Sequence, residues 1–370
     1  GQHINLIDTP GYPDFAGHAL ACLPAVESAA IVVNASAGIE MMTRRMMERA
    51  AERKLARWIV INRIDAENLD LPALVEQIRE SFGSECLPIN LPASGGSKVV
   101  DVFTKAEGEA DFGDVESAHT AILDQCVEVD EEIAMAYLEG ETLSEEQIHS
   151  VFEKALSEGH LVPICFTSAK ANVGVKELLD VFAKLAPSPV EGNPRPFIKG
   201  EGEAATEFHP EPDPSKHALA HVFKVAIDPF VGRLGVFRIH QGTITKETQL
   251  FIDDAKKPFK VGHLFKLQGK EHVEADEGVP GDICAVAKVE EVGFDAVLHD
   301  SHDEDQIRLK PLAFPKPMHG LAIEAKSRGD EQKIAKALAA LDAEDPCFEI
   351  ERASTGETVI RGLGDLHMRV

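Results

Sequence analysis

The sequence predicts three consecutive units: an α/β unit built on a parallel sheet, an all-β barrel, and an α+β unit of split β-α-β order. Three observations predict this. Over residues 1–185, short continuous apolar runs alternate with helical spacings, the pattern of a parallel sheet covered on both faces. After a stretch dense in Pro and Gly at 186–215, the texture changes to short β-rich runs separated by Gly, Asp and Pro turns, which reads as a barrel of roughly 90 residues. From about Pro311 the order becomes β-α-β-β-α, most of a split β-α-β unit stopped before its last strand.

The elements follow in order. Residues 4–7 (I-N-L-I) form an apolar strand-like run before a Pro/Gly turn, and helical spacing runs from 16 to 25. Residues 30–33 (A-I-V-V), 58–61 (W-I-V-I) and 162–166 (V-P-I-C-F) are buried-strand runs. Residues 43–54 read as a helix with a charged face, and 176–185 as a closing helix. The barrel strands are expected at 220–227, 235–240, 249–252 and 283–289. In the third unit, 319–325 reads as a strand, 330–341 as a helix, and 347–352 with 357–361 as a hairpin turning at 354–356. Residues 364–370 look like the start of a helix. The implied domains are 1–188 with an acidic insertion at about 86–160, a linker over 189–214, the barrel over 215–306, and a ferredoxin-like unit over 307–370.

Charge narrows the function classes. The 370 residues carry 37 Lys+Arg against 63 Asp+Glu, a formal −26. That disfavours a protein that coats nucleic acid with a basic face and one that adheres to an anionic membrane surface. Residues 101–200 hold 20 of the acidic and 7 of the basic side chains, half of the net charge. This block, with Glu131, Glu132, Glu145 and Glu146 in it, reads either as a solvated helical face or as a docking surface for a basic partner. No apolar run approaches the ~18 residues of a membrane span. The six cysteines (Cys22, Cys86, Cys126, Cys165, Cys284, Cys347) lie far apart without C-x-x-C, and the histidines contain no H-E-x-x-H. Buried free thiols in a reducing compartment are therefore expected, and a zinc site is not. The chain opens on an apolar run without Met or a signal peptide, which points to a cut fragment.

Three short motifs carry candidate chemistry. Asp8-Thr9-Pro10-Gly11 follows the run 4–7. A carboxylate at a strand's carboxyl end can hold Mg²⁺ through water, and the Gly lets a backbone N–H approach a terminal phosphate. An ordinary strand-to-helix turn is the alternative. Asn62-Arg63-Ile64-Asp65 follows the run 58–61. Asp65 could accept from N1–H and the 2-amino group of guanine, donors that adenine lacks. Asn62 could tie neighbouring loops and the stem of Arg63 could cover the base; the alternative is Asp65 as a helix N-cap. Thr167-Ser168-Ala169-Lys170 follows the run 162–166. Its N–H groups could meet the base's O6, and the Lys170 stem could lie over the ring; the alternative is another strand-to-helix turn. All three sit on the ligand-binding edge of such a sheet.

On these motifs the sequence resembles the translational GTPases, and among them elongation factor G. Asp8–Gly11 looks like the switch II motif, Asn62–Asp65 like the guanine-specificity motif, and Ser168–Lys170 like the last base-contacting motif. The resemblance continues through Asp228-Pro229-Phe230-Val231-Gly232-Arg233-Leu234, Gln241-Gly242-Thr243 and Gly281–Ala285 in the barrel. It reaches Glu344-Asp345-Pro346 and Gly362-Leu363-Gly364-Asp365-Leu366-His367 in the third unit. It implies an incomplete α/β P-loop-GTPase-type parallel sheet, a translation-factor barrel and a partial ferredoxin-like α+β domain. The P-loop with switch I is expected before Gly1 and the tip-bearing domains after Val370. The implied activity is ribosome-stimulated hydrolysis of GTP to GDP and phosphate, coupled to translocation or a related ribosomal step, with GTP/GDP and Mg²⁺ as cofactors. The implied partner is the ribosome, both its RNA and its proteins. Neither membrane nor DNA is implied, and a monomeric cytoplasmic protein is.

Two departures from the family pattern matter. Tyr12 stands where the family's switch II carries a His that helps place the attacking water. A phenol can hydrogen-bond a water but is bulkier and cannot become a cation, so slow hydrolysis, or hydrolysis organised differently on the ribosome, is expected. His18, six residues on, reads as a helix residue. Arg63 stands where Lys is usual; its guanidinium plane can still stack on a base. The alternative functions are a slow or non-hydrolysing ribosome-binding regulatory paralogue and a ribosomal-protection GTPase. Under the family reading, the acidic insertion faces basic ribosomal proteins while the barrel's Lys/Arg side meets RNA.

Overall fold

The computed structural model describes residues 2–193, 197–228, 230–327, 329–354 and 356–370. Residues 194–196 of the predicted linker, Pro229 of the barrel motif and Thr355 of the predicted hairpin turn lie outside the described residues. By packing, the chain divides into two compact units. One comprises the residues up to Ile4 and Val26–Asn193; the other comprises Asn5–Ala25 and the residues from 194 onward.

The chain starts without regular structure, then forms a 3-10 turn at Pro13–Phe15 and helix α1 at Ala16–Cys22. Residues 4–7 are not a strand: among the described strands none pairs with them, and an apolar run without a ladder partner does not form a strand. Leu6 is accordingly exposed.

The first unit contains β1 (Ser28–Asn34), α2 (Met41–Glu52), β2 (Ala56–Asn62), α3 (Leu71–Phe82), β3 (Cys86–Pro88), β4 (Asn90–Ala93), β5 (Lys98–Asp101), α4 (Val115–Val127), α5 (Glu131–Leu138), α6 (Glu145–Glu158), β6 (Val162–Thr167) and α7 (Val175–Leu185). Its sheet has the order β1-β2-β6-β3, and all its pairings are parallel. The two central strands are apolar on both faces because helices cover both: Trp58, Ile59, Ile61, Ile164 and Phe166 are fully buried. In register, Asn34 lies beside Asn62 and Asn62 beside Thr167, so the strands' carboxyl ends form one row from which the loops emerge.

The acidic stretch is built into this unit. β3 extends the sheet, β4 and β5 form a hairpin, and α6 buries Val151, Phe152, Ala155 and Leu156. Part of its acidity has a local structural role. Asp114 and Asp130 cap α4 and α5 by accepting from Ser117 N and Ile133 N. Asp101 accepts from the N–H groups of Phe103 and Thr104 in a tight turn.

The second unit carries β7 (Phe197–Lys199), β8 (Thr206–Phe208), β9 (Leu219–Asp228), β10 (Gly232–Gln241), β11 (Ile244–Thr245), β12 (Gln249–Ile252), β13 (Phe259–Lys260), β14 (Leu264–Gln268), β15 (Glu271–Ala275), β16 (Glu277–Gly278), β17 (Ile283–Ala287), β18 (Val297–His299) and β19 (Ile307–Leu309). An eight-stranded antiparallel sheet, β13-β12-β18-β9-β10-β17-β14-β15, encloses a core of Val222, Phe237, Ile239, Leu250, Leu264, Val286 and Leu298. Two irregularities in the β9–β10 pairing bend those long strands. Within the stretch read as a linker, β7 and β8 are strands that pair in the order β19-β7-β8, and Phe197 is fully buried. The Pro-rich composition is tolerated there because no proline falls within β7, β8 or β19, so none removes a ladder hydrogen bond.

The unit ends with β20 (His319–Ile323), α8 (Glu331–Glu344), β21 (Glu349–Arg352), β22 (Thr358–Gly362) and α9 (Asp365–Arg369), with sheet order β20-β22-β21. The central place of the third strand is the split β-α-β arrangement.

Candidate functional site

Two loops leave the carboxyl ends of β2 and β6 side by side, and side-chain to backbone bonds lock them together. The Asn62 side-chain oxygen accepts from Arg63 N at 2.8 Å and from Ala169 N at 3.0 Å. The Thr167 hydroxyl approaches the same oxygen at 3.5 Å, and Ile64 N donates to Thr167 O at 3.2 Å. One carboxamide thus ties the Asn-Arg-Ile-Asp loop to the Ser-Ala-Lys loop. Arg63 takes a left-handed conformation, φ 69°. Gly174, also left-handed, lets the second loop close: a Cβ there would lie 2.5 Å from the Phe166 carbonyl oxygen.

The carboxylate of Asp65 accepts from the Ser168 hydroxyl at 2.5 Å, and that hydroxyl accepts from Ala171 N at 3.2 Å. Ser168 is fully buried, whereas Asp65, Ala169 and Lys170 are exposed. The Ser168 hydrogen bond, helped by the nearby Lys170 and Arg63 charges, holds the Asp65 carboxyl below the usual carboxylate range. Asp65 caps no helix; the N-cap of the following helix is Asp70, which accepts from Ala73 N at 3.0 Å. The structure therefore presents an ionised acceptor beside two exposed cationic residues, Arg63 and Lys170. Such a site can receive two parallel N–H donors from a planar base and penalise a base that lacks them.

Asp8, Thr9, Pro10, Gly11 and Tyr12 belong to the other unit. All five are exposed and outside regular elements. Tyr12 is 65 % exposed, and its carbonyl accepts from Phe15 N at 3.0 Å to start the 3-10 turn. The segment that follows is firmly mounted within its own unit. Ile7 and Cys22 pack with Ala25 on Phe223, Leu234 and Val236 of the barrel sheet, and Arg238 Nη1 donates to Ala25 O at 2.8 Å. On the third-domain side, Asp14 Oδ2 accepts from His367 N at 3.1 Å. Leu363 N donates to His367 Nδ1 at 3.0 Å, so the ring's proton sits on Nε2 and is donated to Asp345 Oδ2 at 2.9 Å. His18 Nε2 meets the same oxygen at 3.2 Å. Burial raises the Asp345 carboxyl, but the bonds from His18 and from Cys347 N outweigh it and leave it below the usual range.

The cysteines offer no nucleophile. Burial pushes Cys86, Cys126, Cys165, Cys284 and Cys347 up to about 12 and Cys22 to about 11, far from a thiolate at neutral pH. Sequence reasoning missed Asn90, Gly96 and Asp111, which brace the Asn62 and Ser168 loops from behind, and the Asp345–His367 pair. No short motif marks the first three. The last two lie in motifs that the sequence displays without revealing their mutual contact.

The fold and site together define a guanine-nucleotide-type α/β domain followed by a translation-factor barrel and a third, split β-α-β domain. The family described as "Elongation factor Tu GTP binding domain" matches residues 1–188. "Elongation factor G domain 2" matches 217–295 and "Elongation Factor G, domain III" matches 314–370. Elongation factor G of Thermotoga sp. (strain RQ2) is 32 % identical over 394 residues, and that of Thermotoga maritima 32 % over 397; each alignment covers 100 % of this chain and 56 % of the relative. A crystal structure of a Thermus thermophilus protein superposes with a TM-score of 0.82 at 30 % identity, over 98 % of this chain and 54 % of that one. The chain belongs to the translational GTPase family and is elongation-factor-G-like. It spans about half the length of the curated relatives it matches.

Proposed function

We propose that the protein carrying this chain binds GTP, hydrolyses it to GDP and phosphate under stimulation by the ribosome, and couples that hydrolysis to translocation or a related ribosomal step. The observation that supports this most directly is the pair of ties Asn62–Ala169 and Asp65–Ser168, which prepares an ionised carboxylate for the N1–H and 2-amino group of guanine. Arg63 and Lys170 supply stems to cover the base, and the Lys170 N–H is the donor left for O6, since Ser168 N and Ala169 N donate to Val173 O and Asn62 Oδ1. Asp8 is an exposed carboxylate that makes no hydrogen bond or ion pair among the described residues. It suits Mg²⁺ held through water, an ion that would supply positive charge to the terminal phosphates. Thr9, Pro10 and Gly11 form the loop that a terminal phosphate would order through the Gly11 N–H. The ribosome as partner, the cytoplasm as compartment and a monomeric state are parts of the same proposal.

Tyr12 favours a second reading, a ribosome-binding paralogue that hydrolyses GTP slowly. Its phenol can orient a water but cannot take up a proton as an imidazole does. Steady-state GTP turnover of the full-length protein, with and without ribosomes, separates the two. Stimulation by ribosomes supports the elongation-factor reading, and its absence sinks it. If Tyr12 is the brake, Tyr12→His raises ribosome-dependent turnover by about tenfold or more, within the reach of general-base positioning.

A further inference from the structure

We infer that the β4–β5 hairpin of the acidic insertion, with Asp111 behind it, is a positioning device for guanine selection; this rests on the base-recognition reading above. The hairpin touches both base-recognition loops close to their key side chains. On one side, Asn90 is buried, accepts from Phe166 N at 2.7 Å and donates to Phe166 O at 3.3 Å. This fixes the end of β6 two residues before Ser168. On the other, the hairpin tip, exposed at Ser94, Gly95 and Ser97, buries Gly96 against the loop of Asp65. Gly96 is left-handed at φ 73°, and a Cβ there would lie 2.6 Å from the Ile64 carbonyl oxygen.

The tip is itself held from a distance of fifteen residues. Asp111 Oδ1 accepts from Gly95 N at 2.9 Å and Oδ2 from Gly96 N at 2.8 Å. The two charge-assisted bonds set the position of both glycines. The Asp111 segment is anchored in turn. Asp111 N donates to Pro92 O at 2.8 Å, and the Phe112 ring meets Phe166 edge-on with centroids 5.7 Å apart.

The physical need is clear. Asp65 is exposed, and the side-chain bond that orients its carboxylate comes from Ser168. Discrimination between bases by two parallel hydrogen bonds demands a carboxylate held within roughly 0.5 Å and 10–20° of its productive pose. Asn90 fixes the loop that bears Ser168, and Gly96 fixes the backbone that bears Asp65. Removing Asp111 frees the tip without opening a cavity, because the carboxylate is exposed.

The experiment compares GDP with inosine diphosphate, which lacks the 2-amino group, by equilibrium titration of the full-length protein with fluorescent nucleotides. For Asp111→Ala the expected result is a loss of about tenfold in GDP affinity, with the preference for GDP over inosine diphosphate cut at least about threefold. Asp111→Asn, which keeps one acceptor oxygen, loses less. Backbone hydrogen exchange in residues 62–66 should quicken in Asp111→Ala while 56–61 stay protected. Gly96→Ala should reproduce the selectivity loss by pushing on Ile64 O; should it fail to fold, the Asp111 titrations decide alone. An unchanged GDP-to-inosine-diphosphate ratio in Asp111→Ala, alongside an Asp65→Asn protein that has moved to xanthosine diphosphate, would overturn the inference and leave the base-recognition reading standing. An Asp65→Asn protein that keeps its guanine preference removes that reading, and the inference with it.

Discussion

The base-recognition edge and the Asp-Thr-Pro-Gly segment are both predicted nucleotide-contacting regions, yet they are held in opposite ways. The first is locked by short bonds made within its own sheet unit: Asn62 bridges two loops and Ser168 fixes Asp65. The second is exposed and outside regular elements from Asp8 through Tyr12, and is held on either side: Ile7 packs on the barrel sheet, and the turn and α1 that follow meet the barrel, Asp345 and His367. The difference teaches a division of labour. A selector must be rigid before its ligand arrives, because discrimination is lost if the site adapts to the wrong base. A sensor of the terminal phosphate needs a free tip and a fixed base, so that ordering of the tip reaches whatever the base is attached to. Here that base is attached to the second and third domains.

The largest expected effect breaks the selector. Asp65→Asn turns an acceptor of two donors into one donor and one acceptor, which matches xanthine in place of guanine. The preference for GTP over xanthosine triphosphate should fall by on the order of a hundredfold, since a charged hydrogen-bond pair is lost and a mismatched amide replaces it. Competition binding with the two triphosphates reads this directly. A preserved guanine preference would remove Asp65 from the site.

A smaller effect loosens the mount of the sensor. Asp345→Asn leaves the bonds from His18, His367 and Cys347 with a weaker, neutral acceptor and should cost about 1–3 kcal/mol. The pH dependence has a definite sign. The folded-state carboxyl of Asp345 lies below its ordinary value, so its contribution is fully present above the unfolded pKa of about 3.9. It is lost as pH falls through the lower folded value. Acid unfolding below about pH 4 should therefore be less steep in Asp345→Asn than in the parent, as followed by circular dichroism. Identical acid transitions would show that the His18–Asp345–His367 contacts do not hold the mount.

Much of this was legible in the sequence, for reasons that follow residue by residue. The central strands announced themselves because burial on both faces leaves no polar alternation: W-I-V-I and V-P-I-C-F became β2 and β6. That the loops after them lie side by side was legible because both strands end at the same edge of the sheet, where Asn62 meets Ala169 and Asp65 meets Ser168. Residues 4–7 misled because a strand is defined by its partner, and periodicity carries no information about one. β7 and β8 were hidden by the prolines around them. Asn90 and Asp111 were illegible for a different reason. Their partners lie 76 and 15–16 residues away, and nothing local distinguishes them from any surface Asn or Asp.

The smallest effect concerns the acidic block and separates its structural from its interacting share. Glu131 and Glu132 occupy the first turn of α5, where negative charge complements the exposed N–H groups, while the cap itself is Asp130. Reversing both to Lys should cost about 0.3–1 kcal/mol each through the helix dipole, and should leave the GTP-over-xanthosine-triphosphate preference untouched because Asp130 still starts the helix. If the block also docks a basic partner, ribosome-stimulated turnover should fall, and fall more at low salt than at 0.5 M, where the Debye length of roughly 4 Å screens surface charge. Turnover that is unchanged at both salt concentrations would assign these two glutamates to helix stability alone. The capping aspartates Asp114 and Asp130 already show that part of the −26 is structural, so a net charge says little about partners until each carboxylate's own hydrogen bonds have been accounted for.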